Sequence, residues 1–462
     1  MIIRLALRSL AVRPIRTAVL ALGFGLGIAV MAALLGVGDV ILEQARSPGL
    51  SGGGDVLVSG AFGMIENAPY VLSNVRGLAP AASPSRRETV YLLKDGQSIP
   101  LIARGGVPSL EKSIGDPEVR SVAAWQDTPT DARWTHVDQA SLLRAFDRFH
   151  PVPDVPEFAD SWAEWLYFNG RTTDGSVRFY LTFMTGPRTR AGYRAAGVHL
   201  QLDRNGQTSN YTAAADVDER VIVDRAPDLD IAGNSVRLEG TKYRITLKMP
   251  GATGMLTLDP VPGRWLPPAV LHGARGWLSG YVVPALSGTL SGDLEVDRPS
   301  AGSGLRKTVH FAGASGYHDH NWGFWRDVRW QWGQVSGPDL SFIYGRVFPP
   351  SDVADADRIP GFLGVLDHTG LVGVATNVGI TEHRPPDDPK ATPSAIDIIA
   401  RGTGLELRVS FATDRSVRTA LAMTGGANDF LQLGGTYRVE GRVDGRSVDF
   451  TARGAAETFQ PR

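Results

Sequence analysis

From Asp160 to its end the chain is a succession of short apolar runs cut by glycine turns, and that pattern admits few folds. The first set of runs lies at 165–168, 177–183, 197–202, 220–223, 236–238, 243–247 and 255–258, with Asp174-Gly175, Asn205-Gly206 and Pro250-Gly251 between them. Asp-Gly and Asn-Gly supply the positive φ that tight hairpins need, so runs this short predict antiparallel strands in a sandwich or barrel. A second set begins near Leu290 and includes 330–332, 340–344, 363–366, 371–374, 405–409, 436–439 and 448–450. Two sets of comparable size predict two barrels, with a mobile loop at the proline-rich 384–389. The stretch 139–149 reads as a helix that Pro151, Pro153 and Pro156 break.

The densest chemistry is Ser315-Gly-Tyr-His-Asp-His-Asn-Trp-Gly-Phe-Trp325, followed at once by Trp330 and Trp332. On a strand, Tyr317, Asp319 and Asn321 share one face while His318, His320 and Trp322 share the other. One of those faces is expected to line a cavity.

Residues 316–323, Gly-Tyr-His-Asp-His-Asn-Trp-Gly, resemble the signature of the carotenoid 1,2-hydratase (hydroxyneurosporene synthase, CrtC) family and its AttH-like secreted relatives. Further pieces match in order: Trp162-Ala-Glu-Trp165-Leu-Tyr-Phe-Asn-Gly170, 280–288, and Gly454-Ala-Ala-Glu457. The resemblance covers roughly 120–462 and implies two tandem lipocalin-like antiparallel β-barrels. It also implies a hydratase-like lyase in which an aspartate of this kind donates the proton. The expected division is 1–45 lead and anchor, 46–120 linker and small β-rich stub, 121–289 first barrel, and 290–462 second barrel.

Bulk properties exclude several classes. A net charge of −1 argues against a nucleic-acid partner, which needs clustered Lys and Arg. The absence of cysteine removes disulfides, thiolate catalysis and zinc–thiolate sites. No Gly-x-Ser-x-Gly elbow and no Walker loop occurs, so serine hydrolysis and ATP handling lack support. No cofactor is expected.

Thr17 to Gly38 carries no charge and is long enough, at about 33 Å as a helix, to cross a bilayer core of about 30 Å. Arg4, Arg8, Arg13 and Arg16 precede it while Asp39 and Glu43 follow. The positive-inside rule then predicts a single-pass inner-membrane protein with its body in the periplasm. A cleaved signal peptide is the competing reading, set against by the length of the apolar run. Residues 1–60, with Arg13-Pro-Ile-Arg-Thr17 before the helix and Gly53-Gly-Asp55 after it, resemble the start of an FtsX/MacB-type ABC transporter permease, which implies transporter subunits as partners.

Asp319 is the expected proton donor, since hydrating an alkene needs a carboxylic acid kept neutral by an apolar surround and aromatic faces that tolerate a cation. His318, His320 and Tyr317 complete the catalytic set. Asn321, Trp322, Trp325, Trp330, Trp332, Trp162, Glu164 and Trp165 are the expected ligand contacts, with Glu164 able to face the same cleft and activate water. The competing reading makes 318–321 a hydrogen-bonded network that closes a barrel end. A metal held by His318 and His320 with His310 or His383 is a weaker pattern, and no metal is expected. The ligand expected is a long apolar isoprenoid or acyl molecule. The alternative to an enzyme is a lipid-binding accessory protein of an ABC exporter.

Overall fold

The computed structural model describes residues 138–297, 306–423 and 426–461, and before them 54, 56–59, 68–75, 79–94, 97–116, 124–135 and the single positions 15 and 65. The apolar stretch 17–38 lies outside the described residues, as do most of the permease-like first 60. Among the described residues no helix is long and apolar enough to cross a membrane.

The chain forms two units, Met1–Val137 and Asp138–Arg462. The first contains one hairpin, β1 (Ser85–Lys94) with β2 (Gln97–Gly106), and short helices including α1 (Ala68–Val75) and α2 (Pro108–Ser113). Among the described residues of the expected β-rich stub, that hairpin holds the strands. Arg104 from β2 pairs with the buried Glu111 and Asp116.

The second unit holds two nearly closed antiparallel barrels. Barrel 1 comprises β3 (Trp162–Arg171), β4 (Val177–Arg190), β5 (Tyr193–Arg204), β6 (Gln207–Asp218), β7 (Leu229–Ile231), β8 (Asn234–Glu239), β9 (Lys242–Met249), β10 (Ala252–Pro260), β11 (Leu266–His272), β12 (Leu278–Asp297) and β13 (Arg306–Phe324). Its spatial order is β6-β5-β4-β3-β13-β12-β10-β9-β8-β7, with β11 on β12, so the last strands in sequence insert beside the first. Barrel 2 comprises β14 (Arg329–Ser336), β15 (Ser341–Phe348), β16 (Phe362–Asp367), β17 (Gly370–Ala375), β18 (Asn377–His383), β19 (Ala395–Gly402), β20 (Leu405–Met423), β21 (Gly426–Val443) and β22 (Arg446–Pro461). Here β22 closes against β14, between β14 and β21.

Three expectations are corrected. The expected boundary at 289/290 falls inside β12, and the chain changes sheets only between Phe324 and Arg329. The strand expected at 220–223 is part of a helix, Glu219–Arg225, because Asp218 accepts from the Arg220 and Val221 amides and caps its start. The stretch 384–389 does lie between strands, but Arg384 donates to the Pro389 and Ala391 carbonyls and ties it down.

The helix expected near 139 is Gln139–Phe146, capped by Asp138, which accepts from the Ser141 amide at 2.9 Å. Its buried Leu142, Leu143 and Phe146 bring the next residue, Asp147, to full burial against β9 and β13.

Candidate functional site

Strand β13 is hydrogen-bonded on one side to β3 and on the other to β12, so both its edges are paired. Asp319 stands opposite Tyr167 and His320 opposite Leu166. With a period of two, the eight-residue motif splits cleanly into an interior face and a face turned to barrel 2.

The interior face carries His318, His320 and Trp322. His318 Nε2 lies 3.0 Å from Asp147 Oδ2, and its Nδ1 lies 3.0 Å from the Tyr167 carbonyl, while its ring stacks on Phe168 at 4.1 Å. Tyr243 donates to the same carboxylate oxygen at 2.5 Å. His320 Nε2 is 3.1 Å from Glu164 Oε1, and its Nδ1 is 3.5 Å from Asp147 Oδ1. Glu164 also accepts from the His150 amide and lies 2.7 Å from His150 Nδ1, with the Arg194 guanidinium 3.7 Å away. Burial works against ionising these groups, yet the opposed charges outweigh it. The imidazoles hold Asp147 well below the usual carboxylate range and Glu164 at about 2, and the two carboxylates lift His320 to about 9. Trp322 stacks on His150 at 4.5 Å, and a side chain at Gly280 would strike its ring, which explains that glycine.

His150, Glu164 and His320 bring three ligand-type atoms within 4.8 Å of one another. Both ring nitrogens already face Glu164, and Arg194 stands beside that carboxylate, so the group balances its charge without a metal. The expected third ligands are elsewhere: His310 pairs with Asp293 and His383 with Asp397, both on the surface.

The opposite face carries Tyr317, Asp319 and Asn321 into the seam between the barrels, a cleft filled by the packed side chains of Tyr167, Tyr180, Tyr317 and Trp332 with Val283 and Ile343. Tyr317 donates to Asp319 Oδ2 at 2.7 Å, and Asn321 donates to Oδ1 at 2.9 Å. The Tyr281 hydroxyl is 3.0 Å from that of Tyr317 and accepts from Trp332 Nε1 at 2.6 Å. From barrel 2, Glu457 enters on β22 and accepts from Tyr167 at 2.6 Å, and Tyr167 in turn accepts from Gln432 at 3.2 Å. Burial first, and the nearby Glu457 second, push the Asp319 carboxyl well above its ordinary range despite those two donors. Burial lifts Glu457 to about 7. One end of the cleft is aromatic: Trp165 lies 4.8 Å from Trp325, Trp325 lies 5.5 Å from Trp330, and Trp330 stacks on Phe459 at 4.0 Å. Trp165, Tyr281, Asn321 and Trp330 are half-buried, which opens this end to solvent.

The structure thus gathers Tyr317, Asp319, Asn321, Trp165, Trp325, Trp330 and Trp332 at one cleft. It takes His318, His320, Trp322, Trp162 and Glu164 to the other side of the sheet, where Trp162 packs edge-on against Phe324. Glu164, expected as a base facing Asp319, cannot serve there: it lies one position from Trp165 and three from Tyr167, which puts it on the other face of β3, and it is fully buried among imidazoles. Glu457, Tyr167, Tyr281, Asp147 and His150 were not singled out for a role from sequence. Tyr167, Tyr281 and Glu457 left a signal, as members of the matched pieces 162–170, 280–288 and 454–457; Asp147 and His150 left none.

No family model and no curated protein matches the chain. Among solved structures it is similar to CghA with Sch210972, at 12% identity over 68% of this chain and 94% of that one, with a TM-score of 0.49. It is also similar to an AttH-like protein of Nitrosomonas europaea, at 16% identity over 68% of this chain and 100% of that one, TM-score 0.44. Kievitone hydratase from Nectria haematococca follows at 13% identity over 67% and 93%, TM-score 0.43. At TM-scores below 0.5 these likenesses carry no argument about activity or ligand.

Proposed function

We propose that the protein is a hydratase-like lyase that adds water across a carbon–carbon double bond of a long apolar isoprenoid or acyl ligand lying in the inter-barrel cleft. The observation that carries this reading is Asp319: a carboxyl that burial first and Glu457 second push well above its ordinary range, at the seam between the barrels among tryptophans and tyrosines. Such an acid can protonate an alkene carbon, and the aromatic faces stabilise the resulting cation. Glu457 on the facing barrel titrates near neutrality and supplies the base for the water. The step balances: the π pair takes the Asp319 proton, water bonds to the cationic carbon, and its released proton passes to Glu457. Tyr317 and Asn321 hold the Asp319 carboxyl, while His318 and His320 act from behind the sheet by fixing β13.

The anchor at 17–38, a periplasmic body and an encounter with ligand at the membrane belong to the same proposal. The test is native mass spectrometry of the full chain purified from its own envelope, with lipid extraction, then incubation of any recovered alkene in ¹⁸O-water. Label in the product, lost in Asp319→Asn with ligand still bound, is the expected result. Equal turnover by Asp319→Asn overturns it. Ordinary phospholipids or fatty acids returned unaltered favour the accessory lipid-binding protein of an ABC exporter.

A further inference from the structure

The cleft has a second end, and its chemistry is different. Along β3 the residues facing barrel 2 run Trp165, Tyr167, Asn169, Arg171; the neighbouring strand places Arg178 opposite Arg171 and Tyr180 opposite Asn169. On barrel 2, β22 repeats the pattern with Phe459, Glu457, Ala455 and Arg453. Each barrel therefore offers an aromatic at one end of this face and an arginine at the other.

Arg178 is buried, 7% exposed, and its Nε has no hydrogen-bond partner. Its guanidinium lies over Gly434, where any Cβ would collide with Nη1. Arg178 reaches only to 4.0 Å of Asp414, whose other oxygen is taken by Arg453. Asp203, paired across the strands with Arg178, is engaged through Oδ2 by Arg415 at 2.9 Å, and its Oδ1 has no hydrogen-bond partner. Four guanidinium groups, Arg171, Arg178, Arg415 and Arg453, thus stand against two carboxylates, Asp203 and Asp414. Burial first, then Arg178 and Arg453, lower the proton affinity of Arg171, while Asp414 opposes them. Asn169 adds a buried amide with an unpartnered Nδ2. Unsatisfied buried donors of this kind cost stability unless something accepts from them.

We propose that this arginine end is an anion-binding subsite that holds the charged head of an amphiphilic ligand, a carboxylate or a phosphoryl group, whose apolar chain runs past Tyr180, Tyr167 and Tyr317 toward Asp319. Arg178 and Arg171 are the head-group contacts, with Arg453 at the open rim. Ser315 pairs with Arg171, so the head lies four residues along β13 from Asp319, roughly 13 Å at about 3.3 Å per residue. The tyrosines bridge that span: Tyr180 stacks over Tyr167 at 6.5 Å and Tyr167 meets Tyr317 edge-on at 6.4 Å. This subsite rests on the cleft reading above and narrows its ligand from any apolar chain to one with a single anionic end.

The test uses the full chain in phosphatidylcholine nanodiscs, with cis-parinaric acid and its methyl ester as probes and energy transfer from the cleft tryptophans as readout. The acid should bind at least roughly tenfold more tightly than the ester, the size of one charge-assisted contact. Arg178→Gln should erase that difference while leaving ester binding unchanged. Arg453→Gln, at the exposed rim, should reduce it without threatening the fold. Farnesyl phosphate and farnesoic acid as competitors separate the two head groups: whichever anion displaces the probe better names the source, and either supports the subsite. Equal binding of acid and ester by the wild type overturns the subsite but leaves an apolar cleft standing. Failure of both probes to bind overturns the subsite and the cleft reading together.

Discussion

The two faces of β13 bury carboxyl groups one residue's width apart and drive them to opposite states. Inside barrel 1, Asp147 and Glu164 are fully buried and ionised, because His318, His320, His150 and Arg194 surround them. In the cleft, burial first and a second carboxyl next push Asp319 well above its ordinary range, despite hydrogen bonds from a phenol and an amide. Burial alone pushes every carboxyl up; the charge of its neighbours decides whether it arrives as an anion or an acid. The interior face therefore serves as a charge-balanced girder, and the cleft face holds a usable proton.

The contrast breaks first at the girder. Asp147→Ala leaves His318 and His320 facing no carboxylate from that side, and denaturant unfolding should register a loss of roughly 3–5 kcal/mol. Asp319→Asn removes no paired charge, so its unfolding midpoint should move by less than about 1 kcal/mol while turnover of the bound alkene falls by a factor of roughly 10²–10⁴. Equal destabilisation by the two substitutions would merge the faces into one structural network.

Stability against pH sharpens the difference. His320 has its folded value raised to about 9 from 6.5, so its contribution is complete below about pH 6.5 and is lost as pH rises through 9. Glu457, raised from 4.5 to about 7, instead favours the folded state only while protonated, so stability falls between about pH 4.5 and 7, by roughly 3 kcal/mol. In thermal melts across pH, Glu457→Gln should shrink the fall in the lower window, to which the raised Asp319 carboxyl also contributes, and leave the upper window intact. The smallest effect belongs to Tyr167→Phe, which removes the hydrogen bonds to Glu457 and from Gln432, worth about 1 kcal/mol each. Because the bond to Glu457 favours the ionised carboxyl, its loss should move the acid limb of the pH–rate profile upward.

Much of the fold could be read along the chain. The turns at Asp174-Gly175 and Asn205-Gly206, the helix at 139 and the alternation of Tyr317, Asp319 and Asn321 against His318, His320 and Trp322 are local matters, set by φ preferences and the two-residue period. β6 escaped because Gln207–Asp218 is mostly polar and presents only intermediate and exposed positions. Residues 220–223 misled because β-branched side chains outvoted the Asp218 cap.

What each face meets was beyond sequence reading. Tyr167 and Glu457 touch across 290 positions, and Asp147 reaches His318 across 171. Composition and spacing determined that this chain would be all-β, with a motif strand of two chemically distinct faces. Tertiary structure alone decided that Glu164 would stand behind the sheet and Glu457 in front of it. Strand period is a property of neighbours in sequence, whereas the ionisation of a buried carboxyl depends on charges that only barrel closure and barrel pairing bring within reach.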